Sequence, residues 1–428
     1  MKKTLKAVFV LMVVALMVAS CAPAAATEAP AATEAAATVA ATEAATAAAT
    51  TAAQDPKAVC DADPFGCATF KPGEEVVIGM GAPMTGGNAS FGIDISQGAT
   101  VAVEDGGDVN GWKIKLDAED DQGSAEGGAA VANKFVSDQA VVAIAGHIFS
   151  GATAAAMPIY EKAGIPMLSP SATNPPLTQQ GSKVFNRIAF TDAQQGEYAA
   201  KYLYDKLGFT KIAVMHDGTD YGKGLAEIVA AKFKEAGGEV VSEEAVTPGE
   251  TDFTAVLSTV AATKPQAIYF GGYIAEGSVL VNEMDQTGLG DAVFFGCDGT
   301  YGDKFIENTG ANGEGAYAVS LAPADTDPKL AFDQKYLDEF GTAAGTLSPY
   351  TWNGYDATAA LISVIKSAAF VGTDGNLYIP RSAMVSGVRN LKDYVGLSGT
   401  YTCDATGECN ASGPLFVVVK DGKWVPAQ

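Results

Sequence analysis

Histidine is nearly absent from this chain, with two in 428 residues, and no CxxC pair stands beside them. The donor set of a structural zinc is therefore missing, and no metal or other cofactor is expected. Basic residues are scarce as well: 27 Lys and Arg face 50 Asp and Glu, giving a formal charge of -23 and a pI near 4.4. A nucleic-acid partner requires a basic face, and this composition excludes one. There is no P-loop, and Gly79, Gly81 and Gly86 miss the GxGxxG spacing because Met84 stands at its last position. Without a Ser/His/Asp order, a metal cluster or a phosphate loop, the chain reads as a binding protein and not an enzyme.

Long apolar runs are also lacking. The stretch 7–19 is too short for an ordinary membrane span. Preceded by Lys2, Lys3 and Lys6 and followed by Ala19, Ser20 and Cys21, it has the order of a secretory signal. Small residues directly before Cys21 resemble a bacterial lipobox, in which that cysteine is acylated and becomes the mature N-terminus. A plain signal peptide with an incidental Cys21 is the alternative. Residues 1–20 are read as the signal and 21–56 as a lipid-anchored tether, almost wholly Ala, Thr, Glu and Pro with repeated ATEA. Val39 is the one large apolar residue in its low-complexity stretch, so the tether has nothing to bury and is expected to be disordered. Its threonines permit O-glycosylation. The expected location is outside the cell membrane, attached by lipid.

The remaining roughly 370 residues exceed one ordinary core and call for two lobes. Apart from Cys21, Cys60 and Cys67 bracket a short DADPFG loop, and Cys403 and Cys409 bracket DATGE. Both suit disulfides in an oxidising compartment, with Cys297 left over. Strand patterns at 76–80, 113–117, 141–145, 165–168, 212–215, 239–241, 267–270, 293–295 and 316–319 alternate with helical ones at 98–104, 125–137, 198–207, 225–235 and 253–263. Such alternation marks βαβ units and parallel sheets. Breaks near 191–196 and 322–325 assign 74–191 plus 325–404 to one lobe and 192–324 plus 410–428 to the other. Helical runs at 329–340 and 356–369 return to the first lobe, and 415–419 with 424–425 forms a closing hairpin on the second. Repeated crossing gives a multi-strand hinge with a cleft between lobes.

The segment 140–175 is the most telling. Two buried strand patterns end in clusters of small and hydroxyl residues, 146–153 and 169–173. Ligands of open α/β sheets bind at such carboxyl ends. Small residues let backbone amides approach an anionic group, and Ser150 and Thr173 add hydroxyl donors. Taken singly, either loop could be an ordinary strand-to-helix turn with Ser or Thr as N-cap. His147 and His216 read as satisfied loop histidines, and the Asp120-Asp121 pair as a solvated cap.

The motifs IGMGAPMTGGNASFG, DDQGSAEGGAAVANK, AGHIFSGAT, IPMLSPSATNPPLT, TDAQQGEYAAKYLYDKLGFTKIAVMHDGTDYGKG, YFGGYIAEG and FFGCDG follow one another from residue 76 onward. In this order the chain resembles the type I periplasmic binding proteins of the leucine/isoleucine/valine family, receptors of ABC importers for branched-chain amino acids. The resemblance implies an α/β fold of two Rossmann-like lobes with parallel-sheet cores, and an amino acid enclosed between them for delivery to an ABC permease. It implies that Ser150 donates its hydroxyl to the ligand carboxylate. Ser171, with the neighbouring Ala172, contacts the ligand through backbone, and Thr173 binds through hydroxyl and amide. On the other lobe Tyr221, Tyr273 and Asp298 close the cleft, with Asp298 accepting from the ammonium, while Phe91 packs against the ligand side chain.

This sequence departs from the family at two points. A disulfide common in the family would join the positions of Gly123 and Phe149, and neither is Cys, which leaves Phe149 as a large ring beside Ser150. The acid at 298 is Asp where a longer Glu is usual in some members. Alternatives are a binder of an amide, urea or aromatic acid on the same fold, or a sensory receptor that signals occupancy.

Overall fold

The computed structural model describes residues 55–409 and 413–427. The signal, Cys21 and the tether up to residue 54 lie outside the described residues. The tether reading ends slightly too late, because Pro56 begins the helix Pro56–Ala62, whose N-cap Asp55 accepts from the Lys57 amide at 3.0 Å. Proline suits that first helical position, where its missing N–H costs nothing. Among the described residues no helix is long and apolar enough to cross a membrane.

Two sheets organise the rest. The first has six strands in the order Asp108–Val109, Trp112–Asp120, Val76–Ala82, Val141–Ile144, Met167–Ser169, Phe185–Arg187. All its pairings are parallel except the short Asp108–Val109 edge. The central strands Val76–Ala82 and Val141–Ile144 are buried along their whole length, as their unbroken apolar runs require of a sheet covered on both faces. The second sheet has seven strands in the order Lys423–Pro426, Leu415–Lys420, Tyr317–Ser320, Val293–Phe295, Ala267–Gly271, Lys211–His216, Glu239–Ala245. Five are parallel, and the C-terminal hairpin adds two antiparallel strands at the edge. The protein is thus mixed α/β with parallel-sheet cores.

Strand order reverses direction at Val76–Ala82 in the first sheet and at Lys211–His216 in the second. Each reversal parts the loops that follow neighbouring strands and opens a crevice at their carboxyl ends. The chain passes between the sheets three times. After Phe185–Arg187 it enters the helix Asp192–Lys201, packed on Asp220–Glu235 of the second sheet. After Tyr317–Ser320 it returns through Asp327–Phe340 and Thr351–Ala368, both against the helix Ala89–Gly106. It then crosses back to the strand Leu415–Lys420.

Two elements depart from expectation. The helix predicted at 98–104 spans Ala89–Gly106, because Gly92 and Gly98 serve close packing and do not break it. A Cβ at Gly92 would lie 2.1 Å from the Pro83 carbonyl oxygen, and one at Gly98 would lie 2.3 Å from that of Thr351. The strand Cys67–Phe70 joins Leu377–Pro380 and Phe370–Val371 in a small antiparallel sheet that the sequence pattern did not suggest. Disulfides link Cys60 to Cys67 and Cys403 to Cys409, and Cys297 is free and buried.

Candidate functional site

The loops at the two strand-order reversals face one another. From the first sheet, Val141–Ile144 runs into 146–149 and then the helix Ser150–Ala163, so Ser150 sits at the positive end of a helix with unpaired first-turn amides. The approach to Ser150 is held from beneath. His147 is fully buried, with Nδ1 at 2.7 Å from Asp121 Oδ2 and Nε2 at 3.0 Å from the Tyr160 hydroxyl. Its carbonyl accepts from Ser169 Oγ at 2.7 Å and Thr153 Oγ1 at 3.1 Å. His147 is satisfied as expected, but Asp121 is no solvated cap: it is buried and orients the imidazole.

The second loop is tied to the first. Ser171 Oγ donates to the Ile148 carbonyl at 2.7 Å, and the Asn174 amide donates to Ser150 Oγ at 3.3 Å. The Ala172 amide donates to Ser169 Oγ at 3.0 Å. Arg187, fully buried, donates through Nη1 to the carbonyls of Ala172 at 3.0 Å and Asn174 at 2.7 Å. Its Nε and Nη2 engage the Glu408 carboxylate at 2.9 and 2.5 Å, a two-pronged pair that fixes the guanidinium plane.

From the second sheet come Tyr221, Tyr273 and Asp298, all buried. Asp298 Oδ1 accepts from the Tyr221 hydroxyl at 2.5 Å and Gln195 Nε2 at 2.6 Å. Its Oδ2 accepts from the Tyr350 hydroxyl at 2.8 Å, and its own amide donates to Gln195 Oε1 at 3.0 Å. Burial lifts the Asp298 carboxyl above the usual range, and its three donors pull it back. Asp192 is also buried and is held well above the ordinary carboxylate range, first by burial and then by the charge of Asp298. The Thr173 hydroxyl, the Arg187 charge and the Gln195 amide act on it in the opposite sense.

Phe91, Phe149, Ser150, Ser171, Tyr221, Tyr273 and Asp298 border one small cavity, together with Ile148, Gly299 and Tyr350. Its free volume is about 10 Å³, on the order of one water molecule. Ala172 and Thr173 do not border it. Its walls are aromatic: Phe149 stacks on Tyr273 with centroids 4.0 Å apart, and Phe91 meets Phe149 edge-on at 5.8 Å. The Phe149 ring also occupies the space that a side chain at Gly123 would need, since a Cβ there would fall 2.7 Å from it. Gly123 has φ +64°, a conformation that favours glycine.

Sequence reasoning missed Gln195, Tyr350, Asp192 and the Arg187–Glu408 pair. Gln195 and Asp192 lie in the motif TDAQQG that was read as a lobe junction, while Tyr350 directly precedes the helix Thr351–Ala368 and carries no local signature. Among the described residues no group of three or more His, Cys, Asp or Glu could hold a metal.

A family model of periplasmic binding proteins matches residues 75–423, and the chain belongs to that family. It is 37% identical over 307 residues to an amino acid binding protein of Pseudomonas aeruginosa, covering 71% of this chain and 80% of that one. It is 35% identical over 298 residues to a Leu/Ile/Val-binding protein homolog of Brucella suis, covering 69% and 79%. Among solved structures, the leucine binding protein LivK of Thermotoga maritima superposes with a TM-score of 0.74 at 29% identity, over 82% of this chain and 98% of that one. The branched-chain amino acid transporter binding protein LivJ of Streptococcus pneumoniae, in complex with isoleucine, gives 0.72 at 27%, again over 82% and 98%. The protein is therefore an extracytoplasmic solute-binding protein of the branched-chain amino acid ABC transporter type, and not an enzyme.

Proposed function

We propose that this protein encloses a single α-amino acid, with an aliphatic branched side chain, in the cleft between its two sheets, where the aromatic walls around Asp298 must part to admit it, and delivers it to an ABC permease. The observation that carries this reading is Asp298: a carboxylate buried in an aromatic cage, opposite a helix N-terminus bearing Ser150. An α-amino acid is a zwitterion, and burying either charge unpaired costs several kcal/mol, roughly. Donors at one end and carboxylates at the other offset that cost for this class of ligand and for few others.

In this reading Ser150, Thr173 and the amides of Ser171 and Ala172 receive the ligand carboxylate. Asp298, framed by Tyr221 and Tyr273, receives the ammonium. Phe91 and Phe149 enclose the side chain. The lobes are 74–191 plus 325–404 and 192–324 plus 410–428, and closing them about the ligand creates the surface a permease recognises. Cys21 carries the lipid that holds the protein at the membrane, with the low-complexity stretch between it and Asp55 as its tether.

Calorimetric titration of the ligand-stripped protein against the twenty amino acids and a set of amides tests this. The expected result is 1:1 binding of leucine, isoleucine or valine at about micromolar Kd, near -8 kcal/mol. Ser150→Ala should weaken it by about tenfold or more, the loss of one charge-assisted hydrogen bond. Silence to every amino acid, with binding of an uncharged amide or an aromatic acid, would overturn the ligand and its contacts while keeping the fold.

A further inference from the structure

The turn between Cys403 and Cys409 forms a strap along the edge of the first sheet. The Arg187 amide donates to the Gly407 carbonyl and the Cys409 amide to the Arg187 carbonyl, both at 2.9 Å, so the turn continues the sheet beyond Phe185–Arg187. Asp404 caps it: Oδ1 accepts from the amides of Thr406, Gly407 and Glu408 at 2.7, 3.0 and 3.1 Å. Arg389 joins it to the strand, donating to the carbonyls of Ala405 and Phe185, each at 2.8 Å. Gly407 has φ +100°, and a Cβ there would lie 2.3 Å from the Phe185 carbonyl oxygen, so the strap lies close against the strand. The disulfide closes its two ends.

The strap carries one carboxylate to the buried arginine. Glu408 accepts from Arg187 Nε at 2.9 Å and Nη2 at 2.5 Å, and its Oε1 also accepts from the Thr178 hydroxyl at 2.7 Å. Among the described residues this is the one ion pair of Arg187. Through Nη1 the same guanidinium holds the carbonyls of Ala172 and Asn174, at 3.0 and 2.7 Å, on either side of Thr173. The Asn174 amide in turn donates to Ser150 Oγ. A guanidinium is planar, so the two prongs on Glu408 decide where Nη1 points. A continuous path of charge-assisted bonds thus runs from the disulfide loop to the loop carrying Ser171, Ala172 and Thr173.

We propose that the Cys403–Cys409 disulfide is a redox control on ligand affinity, acting through Glu408 and Arg187 as positioning residues. A dithiol reductant supplies two electrons and two protons: the S–S bond breaks, two thiols form, and the reductant closes to its own cyclic disulfide. Cys403 is half-buried and Cys409 buried, so attack falls on Cys403 Sγ. Reduction frees the ends of the turn, and the local opening it permits withdraws Glu408 from Arg187. Linkage is reciprocal: reduction weakens ligand binding by the factor by which the ligand protects the disulfide. The effect on affinity rests on the amino-acid reading of the cleft, whereas the hold on 172–174 stands without it.

The test uses the full-length protein with Cys60→Ser and Cys67→Ser, so that reduction acts on the strap alone of the two disulfides. If that variant fails to fold, Cys403→Ser with Cys409→Ser in the parent takes the place of reduction. Isoleucine is titrated before and after reduction by dithiothreitol, and hydrogen exchange of the 171–174 amides is followed in both states without ligand. The expected result is a rise in isoleucine Kd of about threefold or more on reduction, with matching protection of the disulfide by saturating isoleucine. Exchange should quicken by a similar factor in the strap, at 187 and at 171–174, and not elsewhere. Glu408→Gln should weaken isoleucine in the oxidised protein, and reduction should then add less than in the parent. A disulfide that only stabilises the fold would quicken exchange throughout and leave isoleucine affinity unchanged. Isoleucine binding or 171–174 exchange that reduction leaves unchanged overturns the proposal, as does a reduction effect that persists in full in Glu408→Gln. Exchange that quickens at 171–174 in a protein that ignores every amino acid keeps the strap and sinks the amino-acid reading instead.

Discussion

Asp298→Asn should separate binding from stability, because the carboxylate's two oxygens do different work. Oδ1 accepts from both Tyr221 and Gln195, while Oδ2 accepts from the Tyr350 hydroxyl alone. An asparagine placed with its carbonyl at the Oδ1 position keeps the first two bonds. Its amide then donates to the Tyr350 hydroxyl, which can turn to accept. The ligand-free variant should therefore unfold within about 1 kcal/mol of the parent, since the loss of a buried charge offsets any weakened bond. Ligand affinity should behave otherwise. Truncating one partner of a buried charge pair costs about 2 to 5 kcal/mol, and the Tyr221 and Gln195 bonds that asparagine keeps hold the expected loss to about 2 to 4. At about 1.4 kcal/mol per decade this is a rise in Kd of about 30- to 700-fold, measurable by calorimetry.

The same carboxylate fixes a pH dependence. Burial raises the Asp298 carboxyl, and an ammonium beside it would lower it again, so ligand binding expels a proton wherever the free protein still holds one. Affinity should climb with pH from the ordinary carboxylate range up to the raised value and level off above it. In Asp298→Asn that climb should flatten. An Asn variant that binds isoleucine within about threefold of the parent, or with the parent's pH profile, would refute the pairing of Asp298 with the ammonium.

Arg187→Met should cost about 3 to 5 kcal/mol in urea unfolding, because it strands Glu408 and frees the carbonyls of Ala172 and Asn174. Adding Glu408→Gln should recover part of that loss, and no recovery would mean the pair is not the source. Replacing Cys403 and Cys409 by Ser opens a loop with a sequence separation of 6 and should cost about 2 to 3 kcal/mol by loop entropy, read by the same unfolding. Phe149→Ala should join the cavity of about 10 Å³ to a chamber of about 440 Å³ that the same ring borders and raise the affinity for phenylalanine relative to valine. An unchanged ratio in competition titrations would show that the ring does not set ligand size.

The parallel-sheet cores were legible because each buried strand announces itself locally, as in the unbroken run Val141–Ile144 followed by glycine and hydroxyl residues. The resemblance then brought residues from six separate motifs to one cleft, and seven of the nine candidate positions border the same small cavity. Gln195 and Tyr350 escaped because nothing local distinguishes them. They meet Asp298 across 103 and 52 residues of chain, through the packing of two helices whose positions are set by the crossings between sheets. The helix Ala89–Gly106 was read short for a related reason: its glycines answer to the carbonyls of Pro83 and Thr351, which the sequence does not place beside them.

The acids show where a composition argument stops. A formal charge of -23 reads as a solvated, exported surface, and most of the carboxylates fit that description. Asp121 and Asp192 do not, although their neighbours in sequence are exposed or half-buried. Asp121 is spent on His147, and through it on the loop that presents Ser150. Asp192 and Asp298 are left facing one another's charge with the nearest arginine committed to Glu408. Sequence neighbours of one type thus divide into surface charge, scaffold and site according to which strand end they follow. Folding spends free energy to bury the last kind. A cationic ligand group returns part of it, so in a binding protein the acids that most oppose the fold are the first place to look for the ligand.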